Sequence, residues 1–203
     1  MADADFTVEY AEEQLRRSRH PLRRLIKYFY LADILHDVKG CAVDFGCGAG
    51  QLLERLPPGS MGFEINPLLV KALRDRGLNV EHYDPPSDDF SLHGVMKDRF
   101  STLIMAHVLE HFEDPAEVLC KLFRACSRTG VRRIIVTVPG AKGYASDRTH
   151  RTFVDWNYLR LNGLLLRKDY RPTKRSYFPV DRESFGNYFT FNELKVVYDR
   201  ADE

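Results

Sequence analysis

Val43-Asp44-Phe45-Gly46-Cys47-Gly48-Ala49-Gly50 is the stretch from which the rest of the chain can be read. The apolar run beginning at Cys41 predicts a buried strand, and the glycines at 46, 48 and 50 predict a tight turn opening a helix over about 50–56. Glycine tolerates the backbone angles of such a turn and lets a ligand lie against bare main chain, while a new helix offers unsatisfied N–H groups. The stretch therefore predicts a site for a nucleotide-like ligand. A glycine turn alone is weak evidence, because NAD-binding folds use a similar one and many such loops bind nothing. Its context adds weight. A second short strand, 60–65, carries Glu64 near its end, where a carboxylate can accept both hydroxyls of a ribose.

Strand and helix go on alternating. Asn66 and Pro67 read as cap and first turn of a helix through Arg76, which Gly77 closes, and 78–83 reads as a third strand. A fourth strand at 100–106 is followed by a helix over 115–129 closed by Gly130, and by a fifth strand at 132–138 whose unbroken Ile134-Ile135-Val136-Thr137-Val138 run suits burial on both faces. Such alternation predicts a parallel sheet. After Pro139-Gly140 the pattern changes: a short helix at 153–161, then β-like segments at 164–179 and 188–199 joined by 181–187 as an antiparallel hairpin. Upstream, 9–19 and 21–37 are helical and broken at His20-Pro21. In the second helix an apolar stripe (Leu22, Leu25, Ile26, Phe29) leaves Arg23, Arg24 and Lys27 on or near the other face. With Arg16, Arg17, Arg19 and His20 these form a basic cluster whose plainest reading is a solvated face.

A chain of 203 residues fits one domain, and a formal charge of +1 gives no global electrostatic attraction to nucleic acid or anionic membranes. The four cysteines, at 41, 47, 120 and 126, show no metal or CxxC spacing and read as reduced apolar residues. The N-terminus has no apolar signal core and no window reaches a membrane span, so a soluble, cytoplasmic protein is expected. The expected organisation is one domain: N-terminal helices over 1–38, a ligand-binding core over 39–140, and an acceptor-side helix and hairpin over 141–203.

At this point the chain resembles the class I S-adenosylmethionine-dependent methyltransferases. Their first motif is similar to 43–50 with Asp44 entering the turn, their second to Gly62-Phe63-Glu64-Ile65-Asn66-Pro67, and the likeness extends through Ala106-His107-Val108-Leu109-Glu110-His111-Phe112-Glu113-Asp114-Pro115. The resemblance implies an α/β, Rossmann-like, doubly wound sheet of seven strands, mostly parallel, with the C-terminal hairpin antiparallel. It implies S-adenosyl-L-methionine as cofactor, held by Asp44, Gly46, Gly48, Gly50, Glu64 and His107, with Asp84 in the loop after the third strand facing the adenine amino group. An NAD-linked oxidoreductase is the rival for the glycine turn, but Gln51 and Leu52 follow the glycines and no glycine stands at the third position of the dinucleotide fingerprint.

His107, Glu110, His111 and His150 follow the fourth and fifth strands, on the ligand side of such a sheet, and are expected to converge. Three roles compete for them. The histidines can shape the pocket, or His111 or His150 can take a proton from an acceptor hydroxyl, which makes His107, His111 and His150 the catalytic candidates. As a third role, all four can hold a metal, since the small-RNA 2′-O-methyltransferases of the Hen type carry a Glu-x-x-Glu-His group here and a later histidine. His107 departs from that pattern's first glutamate, and a metal-free site is expected. No Asn/Asp-Pro-Pro-Tyr box follows the fourth strand and no Pro-Cys pair is present, which disfavours base methylation. Arg167, Lys168, Arg171, Lys174, Arg175 and Arg182, interleaved with Tyr170, Tyr177 and Phe178, would favour an anionic acceptor. The expected activity is methylation of a hydroxyl, less readily an amine, on a small or medium-sized acceptor such as a sugar or phosphorylated metabolite. The alternatives are RNA 2′-O-methylation with a metal, or a non-catalytic cofactor-binding partner protein.

Overall fold

The computed structural model describes residues 21–201, with positions 8 and 12, and side chains from 27 onward. The helix expected over 9–19 and the basic cluster from Arg16 to His20 lie outside the described residues, as do the side chains of Arg23 and Arg24. Seven strands form one sheet in the order β3-β2-β1-β4-β5-β7-β6. They are β1 (Ala42–Phe45), β2 (Met61–Glu64), β3 (Val80–His82), β4 (Thr102–Ala106), β5 (Arg133–Pro139), β6 (Tyr170–Phe178) and β7 (Glu193–Arg200). β1 to β5 pair in parallel, whereas β7 runs antiparallel to both β5 and β6 and inserts between the two. The doubly wound architecture expected from the alternation is the one found.

Two layers cover the sheet, and period-2 alternation along its strands decides which residue faces which layer. In β5, Ile134 and Val136 join the cluster under helix α3 (Pro115–Thr129), with Leu119, Leu122 and Phe123, while Ile135 joins the opposite cluster with Tyr30, Leu31 and Ile34 of helix α1 (Pro21–His36). Helix boundaries follow the capping residues. Asn66 Oδ1 accepts from the N–H groups of Leu68 and Leu69 to start α2 (Pro67–Asp75), and Asp114 caps α3, which ends at Gly130 in the left-handed conformation.

The helix expected over 50–56 is not there. The segment is a run of turns with a 3₁₀ turn at Leu53–Arg55, because Pro57 holds Leu56 extended and leaves too few residues for an α-helix. Past the fifth strand, short helices at Ala141–Ala145 (α4) and Trp156–Leu161 (α5) precede the hairpin.

One buried ionic cluster fixes α1 to the antiparallel part of the sheet. Lys195 of β7, 1 % exposed, places Nζ 2.7 Å from Asp33 Oδ2 and 2.6 Å from Asp37 Oδ2, and Lys174 of β6 reaches the same Asp37 carboxylate at 2.8 Å. Asp33 lies in the last turn of α1 and Asp37 just past its end. Tyr30 adds a hydrogen bond between its hydroxyl and that of Thr137 on β5. Burying that lysine is tolerable only because its charge is paired. All four cysteines are free thiols.

Candidate active site

A cavity of about 400 Å³, a volume suited to a small ligand, opens where β1, β2, β4 and β5 end. Its floor is the glycine loop. The N–H groups of Gly46 and Cys47 both donate to the Phe63 carbonyl, at 2.8 and 3.0 Å, which folds the loop back over β2. Gly46 has a left-handed φ of +77°, and a Cβ there would lie 2.6 Å from Val108 Cγ2, so a side chain is excluded by backbone and by neighbour. Gly48 is the reverse case: a Cβ would meet nothing within 4 Å, because its open side is the cavity. Gly50 turns away from the ligand space and packs on Leu73 of α2.

Glu64 ends β2 with a carboxylate held from both sides, Oε2 accepting from Gly48 N–H at 2.8 Å and Oε1 from Asn66 N–H at 2.9 Å. It lines the cavity with Ile65 beside it. Asp44 is 2 % exposed, and among the described residues its Oδ2 has no hydrogen-bond partner. Burial above all, with the nearby Glu64 charge, pushes its pKa up to about 7, against the opposing pull of Lys27. An orphaned carboxylate oxygen, an open glycine cradle and a doubly anchored carboxylate fit a ligand that carries a cationic group and a diol. Asp84, expected at the adenine, is not in the cavity wall. Its carboxylate accepts the Ser87 hydroxyl and its carbonyl the Asp88 N–H, so it closes its own turn.

The structure brings His107, Glu110, His111 and His150 together. His107 sits just past β4 with a left-handed φ of +57°, rare for a residue with a side chain and characteristic of functional turns. Its Nδ1 lies 3.1 Å from Oε1 of Glu110, three residues on in a 3₁₀ turn, and its Nε2 lies 2.8 Å from Oε2 of Glu193. The second approach is an ion pair without aligned hydrogen-bond geometry. Burial alone would lower the His107 pKa, but the two carboxylates outweigh it and push the value up to about 10. His107 is therefore an imidazolium, hydrogen-bonded to Glu110 through Nδ1 and ion-paired with Glu193 through Nε2.

His111 and His150 are set differently. His150 Nδ1 is 2.8 Å from the Tyr144 carbonyl, which accepts only from an N–H, so the lone pair is left on Nε2, 3.9 Å from Glu110 Oε1. His111 Nδ1 lies 3.2 Å from the Thr149 hydroxyl, which itself donates to Asp147 at 2.7 Å and so accepts from the ring. Its lone pair is likewise on Nε2. The two rings meet edge to face at 4.9 Å and both line the cavity. The loop that carries His150 is tied to this corner by the N–H groups of Arg151 and Thr152, which donate to the Glu110 carbonyl. Glu110 is wholly buried, and among the described residues its Oε2 has no hydrogen-bond partner.

Two residues of this site escape a reading of the sequence. Glu193 arrives from β7, in register with Pro139 at the end of β5, and Lys27 reaches the cavity wall from α1. Conversely, none of Arg167, Lys168, Arg171, Lys174, Arg175 and Arg182 lines the cavity. Arg167 pairs with Asp169, Lys174 with Asp37, and Arg175 lies over the Trp156 ring at 4.9 Å.

A model of the methyltransferase-domain family matches residues 10–198. Among curated proteins no match is found. Among solved structures, a SAM-dependent methyltransferase from Archaeoglobus fulgidus is 19 % identical with a TM-score of 0.63, covering 87 % of this chain and 94 % of its own. Magnesium protoporphyrin IX methyltransferase from Synechocystis PCC 6803, solved with SAH, is 15 % identical with a TM-score of 0.61, covering 97 % of each chain. The small RNA methyltransferase HEN1 is 18 % identical with a TM-score of 0.57, covering all of this chain and 27 % of its own. At such identities the three establish a shared fold. Among the described residues no helix is long and apolar enough to cross a membrane.

Proposed function

The chain belongs to the methyltransferase-domain family and is an S-adenosylmethionine-dependent methyltransferase, and from that premise we propose that it methylates a hydroxyl of a small polar acceptor, such as a sugar, with a histidine as proton acceptor and no metal. The observation that carries this reading is the pair His111 and His150, each leaving its Nε2 lone pair at the cavity, that of His150 lying 3.9 Å from the wholly buried Glu110. Bound in the cavity, S-adenosylmethionine supplies a methyl group already activated by its sulfonium charge.

The chain has then to hold the acceptor oxygen in line and accept its proton. Glu64 takes the ribose hydroxyls, and Ile65 and Phe112 wall the base. His150 takes the acceptor's proton on Nε2. The imidazolium so formed is stabilised by Glu110 3.9 Å away, while the Tyr144 carbonyl keeps the ring from turning. His111 holds the same tautomer on the other side. His107, protonated and doubly paired, positions Glu110 and takes no proton. Ser146, Asp147 and Thr190 give the acceptor side short polar groups suited to hydroxyls, and the hairpin cations that would favour an anionic acceptor stay outside.

A second reading rests on a specific observation. Glu110, His111 and His150 can each offer one ligand atom, all within 4.8 Å of one another, and His₂-carboxylate sets bind divalent metals. In that reading the ion would bind the acceptor's hydroxyls, and the small RNA acted on by HEN1 becomes the model acceptor. Transfer of labelled methyl from S-adenosylmethionine to a panel of sugars, sugar phosphates and RNA, with and without EDTA, separates the two. Turnover is expected to survive chelation; loss with EDTA and recovery with divalent metal would establish the second reading. S-adenosylhomocysteine binding without turnover on any acceptor would make the chain a non-catalytic binding partner.

The cofactor assignment has its own test. Glu64→Ala is expected to weaken S-adenosylhomocysteine binding by about 1–3 kcal/mol, as for hydrogen bonds lost to a buried charged group. Calorimetry reads it, and a preference for NAD over S-adenosylhomocysteine would overturn the assignment.

A further inference from the structure

Lys27 is a cation in the cavity wall to which the glycine loop gives no role. It follows Pro21 in α1 and, with Tyr30 and Leu31, makes an i, i+3, i+4 set that faces the cavity, so this part of the helix is not a solvated back. The neighbouring basic groups are all engaged: Lys195 and Lys174 with Asp33 and Asp37, His107 with Glu110 and Glu193. No hydrogen bond or ion pair joins the Lys27 side chain to any described residue. Crowding by protein lowers its pKa below the ordinary lysine value, and the charges of Asp44 and Glu193 resist that fall. Solvent reaches the side chain, because the cavity beside it is open.

Across the same cavity stands the opposite defect. Asp44 is a buried carboxylate with an oxygen that lacks a partner among the described residues. A ligand with a phosphate at the glycine loop would place negative charge against Asp44, whereas an α-amino acid carries an ammonium and a carboxylate on one carbon. That zwitterion meets an orphaned acid and an unpaired lysine at once. Neutral or singly charged ligands satisfy one defect and leave the other.

We propose that Lys27 is the counter-charge for the carboxylate of the cofactor's amino-acid end, with Asp44 taking its ammonium, so that α1 completes a site otherwise built by the glycine loop and Glu64. The proposal rests on the reading that this cavity holds S-adenosylmethionine. It also gives the Lys195 cluster a consequence. By clamping Asp33 and Asp37, Lys195 fixes the helix that carries Lys27 over the ligand.

Two ligands that differ at the amino-acid end test it: S-adenosylhomocysteine, which has that end, and methylthioadenosine, which lacks it. Calorimetry on the wild type is expected to show both binding. Lys27→Met should lower affinity for S-adenosylhomocysteine by about 10- to 100-fold, as for a lost charge-assisted hydrogen bond, and leave methylthioadenosine unchanged. Lys27→Arg should keep most of the S-adenosylhomocysteine affinity. If Lys27→Met weakens both ligands equally, or neither, Lys27 is not the carboxylate partner. Binding of neither ligand by the wild type would instead overturn the cofactor site itself, a separate failure.

Discussion

Replacing His150 with alanine is expected to lower the turnover number by about 10²- to 10⁴-fold, the range for loss of a general base. Tyr144's carbonyl can accept only if His150 Nδ1 carries the proton, so Nε2 presents a lone pair to the cavity, and Glu110 lies close enough to stabilise the charge gained when that lone pair takes a proton. The Michaelis constant should change far less, since the base acts in the transition state. His111→Ala should cost less, because the Thr149 hydroxyl behind His111 can donate as well as accept and fixes the ring's tautomer less firmly than the Tyr144 carbonyl fixes that of His150. Wild-type turnover in both variants would leave the pair as pocket walls. A loss in both that added divalent metal modulates would point to the cation reading.

Most of the fold could be read from the sequence because its signals are local. The strands from 41 to 138 are apolar runs between capped helices, and α3 begins and ends at the residues expected, since Asp114, Pro115 and Gly130 mark its ends chemically. The stretch after Gly50 misled for an equally local reason, the effect of Pro57 on Leu56. Asp84 stands outside the cavity wall because a loop acid has local partners, and Ser87 supplies one. Glu193 and Lys27 could not be found this way. Glu193 meets His107 because β7 inserts between β5 and β6 in one particular register, and nothing at position 193 records that choice. Lys27 sits among other basic residues in a helix whose rotation is set by Asp33 and Asp37 reaching a lysine some 160 positions away. Its spacing to Tyr30 and Leu31 was the available signal.

Loss of the His107 charge is expected to cost stability as well as activity, and its pH dependence identifies the cause. Glu110 is wholly buried and Glu193 nearly so, and one imidazolium stands between them. His107→Leu would leave two carboxylates facing each other across an apolar group. Breaking a buried pair costs about 3–5 kcal/mol. A third of the His107 side chain is open to the cavity, so solvent screening brings the figure to about 2–4 kcal/mol. For a chain of this length that is a fall in melting temperature of about 5–15 °C. His107 is raised from 6.5 to about 10, so its stabilisation is complete below 6.5 and is lost as pH rises through about 10. Asp44, raised from 3.8 to about 7, acts in the same sense in a lower window, its contribution being lost between those values. The melting temperature of the ligand-free protein should therefore fall in two steps as pH increases. His107→Leu should remove the upper step and leave the lower; Asp44→Asn should do the reverse, and should raise the ligand-free melting temperature at pH above about 7 while weakening S-adenosylhomocysteine binding. A melting temperature that stays flat above neutrality in the wild type would show that His107 is not held as an imidazolium, and the assignment of proton acceptance to His150 over His107 would lose its basis.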